Sequence, residues 1–191
     1  AGGSVSTGNG AAGRGAAVHL DNAVHASTRR ALTLIQEARG GAGGASDSGA
    51  AGAAGSAESF LDVVDSQASS LYIAAHAYGG NGGNSQSGTA AVGATGSARI
   101  TGSSTGSVQL EMDARGGAGG GVGQGSGQAG GQADASITFA SAAGITMGAY
   151  VSSIGGAGGG SWSGQGAGGG KASLNAQLTA ASDIDLAFSA L

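Results

Sequence analysis

In residues 107–115, SVQLEMDAR, the side chains of Val108, Leu110, Met112 and Ala114 alternate with Gln109, Glu111, Asp113 and Arg115. A period of two sends one set to each face and predicts a half-buried β-strand. The same apolar phase returns in Leu71, Ile73, Ala75 and Ala77, in Ile145, Met147, Ala149 and Val151, and in Ile184, Leu186, Phe188 and Ala190. Strands are therefore expected over 31–39, 71–78, 108–115, 145–154 and 184–191. In the first of these the phase slips, with Ile35 on the polar side and Gln36 on the apolar side, so a bulge or a terminal irregularity is expected there.

A weaker strand-like segment precedes each strong one, over 16–25, 59–64, 98–101, 135–139 and 172–178. The third is short and interrupted by glycine. Small polar turns such as Ser103-Ser104-Thr105-Gly106 and Ala142-Ala143-Gly144 separate the two members, which reads as a hairpin in every unit.

Between the strand pairs the pattern changes to glycine. Glycine pairs open at Gly2, Gly40, Gly79, Gly116 and Gly155, at spacings of 38, 39, 37 and 39. The chain thus reads as one domain, 1–191, of five repeats over about 2–39, 40–78, 79–115, 116–154 and 155–191. Each repeat has two glycine arms around a turn, and ARGGAGG is spelled identically at 38–44 and 114–120.

The first arms carry Gly40, Gly41, Gly43 and Gly44, then Gly79, Gly80, Gly82 and Gly83, then Gly116, Gly117, Gly119 and Gly120, then Gly155, Gly156, Gly158 and Gly159. A three-residue period fits neither strand nor α-helix but fits a polyproline-II-type helix, which makes no internal hydrogen bonds and must bond to neighbouring arms. An arm of about eight residues spans roughly 25 Å, and a strand of about eight residues roughly 26 Å. The expected fold is an all-β repeat protein in which polyglycine-II-like arms form one layer and hairpin strands another, with little or no α-helix. The GGAGG and GGNGG arms resemble the polyglycine II bundles of bacteriophage tail-fibre adhesins and springtail antifreeze proteins, and the Gly/Ala-rich repeats of secreted bacterial surface proteins. The resemblance is architectural and covers about half of the chain; the alternating strands depart from the antifreeze pattern.

Composition narrows the function. The chain has 44 Gly, no Pro, no Cys and only 9% charged residues, against about 25% charged and about 7% Gly in ordinary domains. Gly and Ser enrichment alone suggests disorder, but disorder goes with a high net charge, and here the charge is -4. Seven Lys plus Arg, scattered along the chain, make no phosphate-tracking patch, so nucleic acid is not an expected partner. No apolar run is long enough for a membrane span. A start at Ala1 rather than Met reads equally as a trimmed chain or as an exported one whose signal peptide has been removed; the exported reading implies an extracellular or cell-surface location.

No catalytic, cofactor or metal site is expected. Gly169-Gly170-Lys171-Ala172 lacks the hydroxyl and the spacing of a phosphate loop, and Gly160-Ser161-Trp162-Ser163-Gly164 is no nucleophile elbow. His19 and His25, six residues apart on one expected strand, are roughly 20 Å apart and cannot share a metal; His76 stands alone. Asp62 with Asp65, and Asp183 with Asp185, are too few for the six to eight oxygens calcium takes, and read as solvated strand edges.

Leu191 ends a unit at the place held by Arg39, Tyr78, Arg115 and Ile154, each followed by GG. The Ala1, Gly2 and Gly3 of a second copy could supply that continuation, with Ile184, Leu186, Phe188 and Leu191 on the opposing surface. The expected partner is the chain itself, joined head to tail into an extracellular filament or matrix fibre. The alternative is an adhesin that presents Trp162, Asn81 and Asn84 to a receptor or surface glycan. Ice binding would want Thr at one fixed repeat phase, which is not found.

Overall fold

The structure is a computed structural model that describes residues 1–142, 146–180 and 182–191; Ile145 and the turn residues Ala143 and Gly144 lie outside them. The described residues hold ten strands and no helix. The odd strands are β1 (Val18–Asp21), β3 (Ala57–Asp65), β5 (Gly96–Ser104), β7 (Ala133–Ser141) and β9 (Ala172–Thr179). The even strands are β2 (Ala31–Arg39), β4 (Ser70–Tyr78), β6 (Ser107–Arg115), β8 (Met147–Ile154) and β10 (Ile184–Ala190).

Odd strands form one five-stranded sheet and even strands another, each in chain order with all pairs parallel. The result is a β-solenoid of stacked coils. Partner residues such as Ala57 and Gly96, Gly96 and Ala133, and Ala133 and Ala172 lie one repeat apart along the chain, so the glycine-pair period is the pitch of the stack.

The expected hairpins do not form. The two strands of a unit face each other from different sheets, and each pairs instead with its counterpart in the next coil. Both strands of a unit carry apolar residues on one face; side by side in a single sheet, those faces would lack cover. Facing, they close on one core, which runs through Leu71, Ile73, Leu110, Met112 and Val151 of the even sheet and Leu61, Ile100, Ile137 and Phe139 of the odd sheet. Each fully buried large side chain contributes about 1.5–3 kcal/mol. Parallel pairing needs a long return connection, and the rest of the coil provides it.

Nor do the arms make a layer beneath the strands. They prolong the strands end to end. The ladder that pairs Arg39 with Tyr78 continues as Gly40 N donating to Tyr78 O (2.9 Å), Gly43 N to Asn81 O (2.9 Å) and Ser46 N to Asn84 O (2.9 Å). Second arms likewise lead into the odd sheet, with Ala51 N donating to Thr89 O (2.8 Å). Facing arms also bond directly, as Gly52 N to Gly44 O (2.8 Å) and Gly44 N to Gly13 O (2.9 Å). At the strand end the two layers are held apart by side chains. At the glycine end they touch backbone to backbone, because a Cβ on Gly43 would lie 1.8 Å from Gly52 O.

The first coil differs from the expectation in three ways. Gly2 stacks on the Gly43 position, not the Gly40 position: Gly2 N donates to Ala42 O (2.7 Å), and Val5 bridges Ser46. The strand expected over 16–25 is shortened to Val18–Asp21, because Asn22 takes φ 47° and turns the chain inward, leaving His25 outside any strand. At Gln36 there is no bulge; β2 pairs β4 in unbroken register. Ile35 points outward and Gln36 inward, where it is 2% exposed. The Gln36 amide accepts from Ala23 N (2.8 Å) and donates to Leu20 O (3.2 Å), Ser59 Oγ (3.2 Å) and Phe60 O (3.1 Å), closing the core where β1 ends. The segment expected to be short, β5, is nine residues long, continued through Gly102 at φ 143°.

Candidate functional site at the ends of the stack

The residues named from sequence as an interface fall on the two ends of the solenoid. Ala1, Gly2 and Gly3 lie in the first arm of the first coil, and Ile184, Leu186 and Phe188 on β10, the last even strand. Leu191 is exposed and projects on the outer face, in the row of Arg39, Tyr78, Arg115 and Ile154. The two sets do not meet within the chain.

The ends are unlike. At the last coil Leu186 and Phe188 are each 46% exposed, whereas Val151, beside Phe188 on β8, is 0% exposed. At the first coil Leu32 and Leu34 are buried, because the Gln36 amide and the partly buried Val24 close that end of the core. Sequence reasoning missed this plug, although Gln36 in an otherwise apolar column was its signal.

Across the turns between paired arms runs a trough of about 820 Å³, lined in part by Val5, Ser46, Ser85, Val122, Ser161 and Trp162. The three serines fix each turn to the coil before it. Ser46 Oγ donates to Gly10 O (3.1 Å) and accepts from Gly49 N (3.1 Å); Ser85 Oγ donates to Gly49 O (3.1 Å) and accepts from Gly88 N (3.0 Å); Ser161 Oγ donates to Gly125 O (2.6 Å) and accepts from Gly164 N (2.9 Å). Their common repeat phase is visible in sequence. Of the three proposed adhesive residues, Trp162 is 94% exposed. Asn81 and Asn84 turn their Oδ1 atoms to the next arm, accepting from Ala118 N and Gly121 N at 2.8 Å each.

The outer face of the even sheet carries a polar ladder. The Tyr78 ring lies between Arg39 (4.5 Å) and Arg115 (5.7 Å), and Arg115 pairs with Asp113 at 2.9 Å. Tyr72 donates to Glu111, which pushes its phenol up to about 12. Burial raises Tyr78, and the neighbouring Asp113 raises it further. The hydrogen bond from Arg39 holds Glu37 below the usual carboxylate range.

No protein-family model, curated protein or solved structure matches this chain. The site therefore rests on its own geometry. Among the described residues no three His, Asp or Glu side chains gather to hold a metal, and no helix is long and apolar enough to cross a membrane. His19 Nδ1 pairs with Glu58 at 2.6 Å, His25 is exposed, and His76 stacks on Tyr78. Asp62 accepts from Thr101 Oγ1 (2.8 Å) and Asp65 from Ala68 N (2.9 Å), so both carboxylates tie strands and turns. Asp183 and Asp185 are exposed on the last coil.

Proposed function

We propose that this chain is a non-enzymatic structural subunit that stacks end to end into an extracellular fibre. The observation that carries the reading is the last coil, where Leu186 and Phe188 lie half exposed in columns that every inner coil buries. Beside them run the free edges of β9 and β10, and unpaired strand edges template further pairing. The two ends of the stack present different surfaces, so the contact is heterologous and grows along one axis unless its rotation closes a ring.

Negative-stain microscopy of the purified chain tests this. Rods of constant width and growing length are expected; dispersed monomers at every salt and pH would overturn the proposal. The adhesin reading keeps one supporting observation, Trp162 beside the trough. A glycan array distinguishes the two, since fibre growth needs no ligand.

A further inference from the structure

The stacking proposed above, on which this inference rests, leaves open how one copy meets the next. The arm backbones specify it. From coil to coil, one donor series runs Gly43 N to Asn81 O (2.9 Å), Gly82 N to Ala118 O (2.9 Å) and Gly119 N to Ala157 O (2.8 Å). The next donor in the series is Gly158. A parallel series runs Ser46 N to Asn84 O (2.9 Å), Ser85 N to Gly121 O (3.0 Å) and Val122 N to Gly160 O (3.0 Å), and its next donor is Ser161. Neither Gly158 N nor Ser161 N has an acceptor among the described residues.

The matching acceptors stand free at the other end. Gly2 N donates to Ala42 O (2.7 Å) and Val5 N to Ala45 O (2.8 Å), which puts Ala1 and Ser4 in the phase of Ala42 and Ala45. Their carbonyls receive no bond among the described residues. The return series behaves alike. Gly83 N donates to Gly52 O (3.2 Å), Gly120 N to Ala91 O (2.8 Å) and Gly159 N to Gln128 O (2.8 Å), leaving Gly3 N as a free donor and Ala167 O as a free acceptor.

Steric space gives an independent sign. A Cβ on Gly44, Gly83, Gly120 or Gly159 would lie 2.1, 2.1, 2.0 or 2.0 Å from a carbonyl of the coil below. Gly3 holds the same phase in the first coil, yet nothing lies within 4 Å of the Cβ it lacks. Gly3 stands where only an adjoining coil would exclude a side chain, and its phase is glycine in all five first arms.

We propose that a second copy of this chain docks its first coil on the last coil of another through the glycine arms, with Val5 of one beside Ser161 of the other. That pair extends the bridged column Val5, Ser46, Ser85, Val122, Ser161 by one step. In this register Gly158 and Ser161 donate to Ala1 and Ser4 of the arriving copy, and Gly3 of that copy donates back to Ala167.

The chain has no cysteine, so an engineered pair reports the register directly. Neighbouring parallel strands lie about 4.7–4.9 Å apart, within the Cα separation a disulfide spans. The full-length Val5→Cys/Ser161→Cys variant, oxidised mildly, is expected to run as a ladder of dimers, trimers and longer species that collapses on reduction. Val5→Cys/Ser173→Cys, with the second thiol on the outer face of β9, is expected to give none. Rods in the microscope without a ladder from the first pair would overturn this register and leave end-to-end stacking standing; dispersed monomers would overturn both. As a second arm, Gly3→Ala is expected to keep the parent's melting temperature at concentrations too low for assembly and to weaken association by about tenfold or more through overpacking. Unchanged association of that variant would also overturn the register.

Discussion

Replacing Gly43 by alanine tests whether the arm glycines are there for close approach. Among the described residues the only glycines with positive φ are Gly8, Gly102 and Gly125, so Gly43 has a backbone that alanine can adopt. Its Cβ would nevertheless lie 1.8 Å from Gly52 O, where ordinary contact begins at 3.4 Å. The two arms must part by most of that difference, which strains the bonds from Gly43 N to Asn81 O (2.9 Å) and from Gly52 N to Gly44 O (2.8 Å). Overpacking at about 1–3 kcal/mol and two bonds at about 1 kcal/mol each, less about 0.4–1 kcal/mol from a stiffer unfolded chain, leave a loss of about 2–5 kcal/mol.

Gly168→Ala is the control. Nothing lies within 4 Å of its missing Cβ, and Ala53 and Ala129 accept the coil-to-coil bonds from Gly15 N and Gly93 N as Gly168 does from Gly130 N. That substitution is expected to be neutral or to stabilise by about 0.4–1 kcal/mol. Thermal melts followed by far-UV circular dichroism separate the two variants, since about 2–4 °C per kcal/mol is expected at this chain length. Trp162 is too exposed for its fluorescence to report the core. A Gly43→Ala protein that melts with the parent, or a Gly168→Ala protein equally damaged, would refute the close-approach reasoning.

Gln36→Ala leaves Ala23 N without its acceptor and removes the amide's bonds to Leu20 O, Ser59 Oγ and Phe60 O at the closed end of the core; a loss on the order of 2–4 kcal/mol is expected in urea unfolding, with exchange of the Ala23 amide speeding up. Leu110→Ala, at 0% exposure, is expected to cost about 2–5 kcal/mol, and Phe188→Ala, at 46%, much less in the same titration; equal losses would mean that the last coil is covered in solution. The Tyr72 phenol is raised from 10.0 to about 12 by Glu111 and burial, so its contribution to stability is complete below pH 10 and lost as pH climbs through about 12. Absorbance titration of the phenolate should show a late-ionising tyrosine that Glu111→Gln brings earlier.

The sequence by itself determined the repeat, its spacing and the strands. Alternation in SVQLEMDAR and glycine pairs one coil apart are local facts, and local geometry converts them into a strand, an arm and a pitch. It could not decide which strands pair. A unit with two amphipathic strands satisfies its backbone equally well as a hairpin or as two rungs of separate ladders; only closure of both apolar faces on one core selects the ladders. The same is true of the arms, whose period of three demands neighbours without naming them, so the structure alone places them in line with the strands. Gln36 and the outward Ile35 read in sequence as a slip of register because the partners of Gln36, namely Ala23, Leu20 and Phe60, come from the opposite sheet and a turned chain end. The open phase of Gly3 was likewise hidden, since a glycine in a glycine-rich arm carries no signal until the neighbour it makes room for can be located.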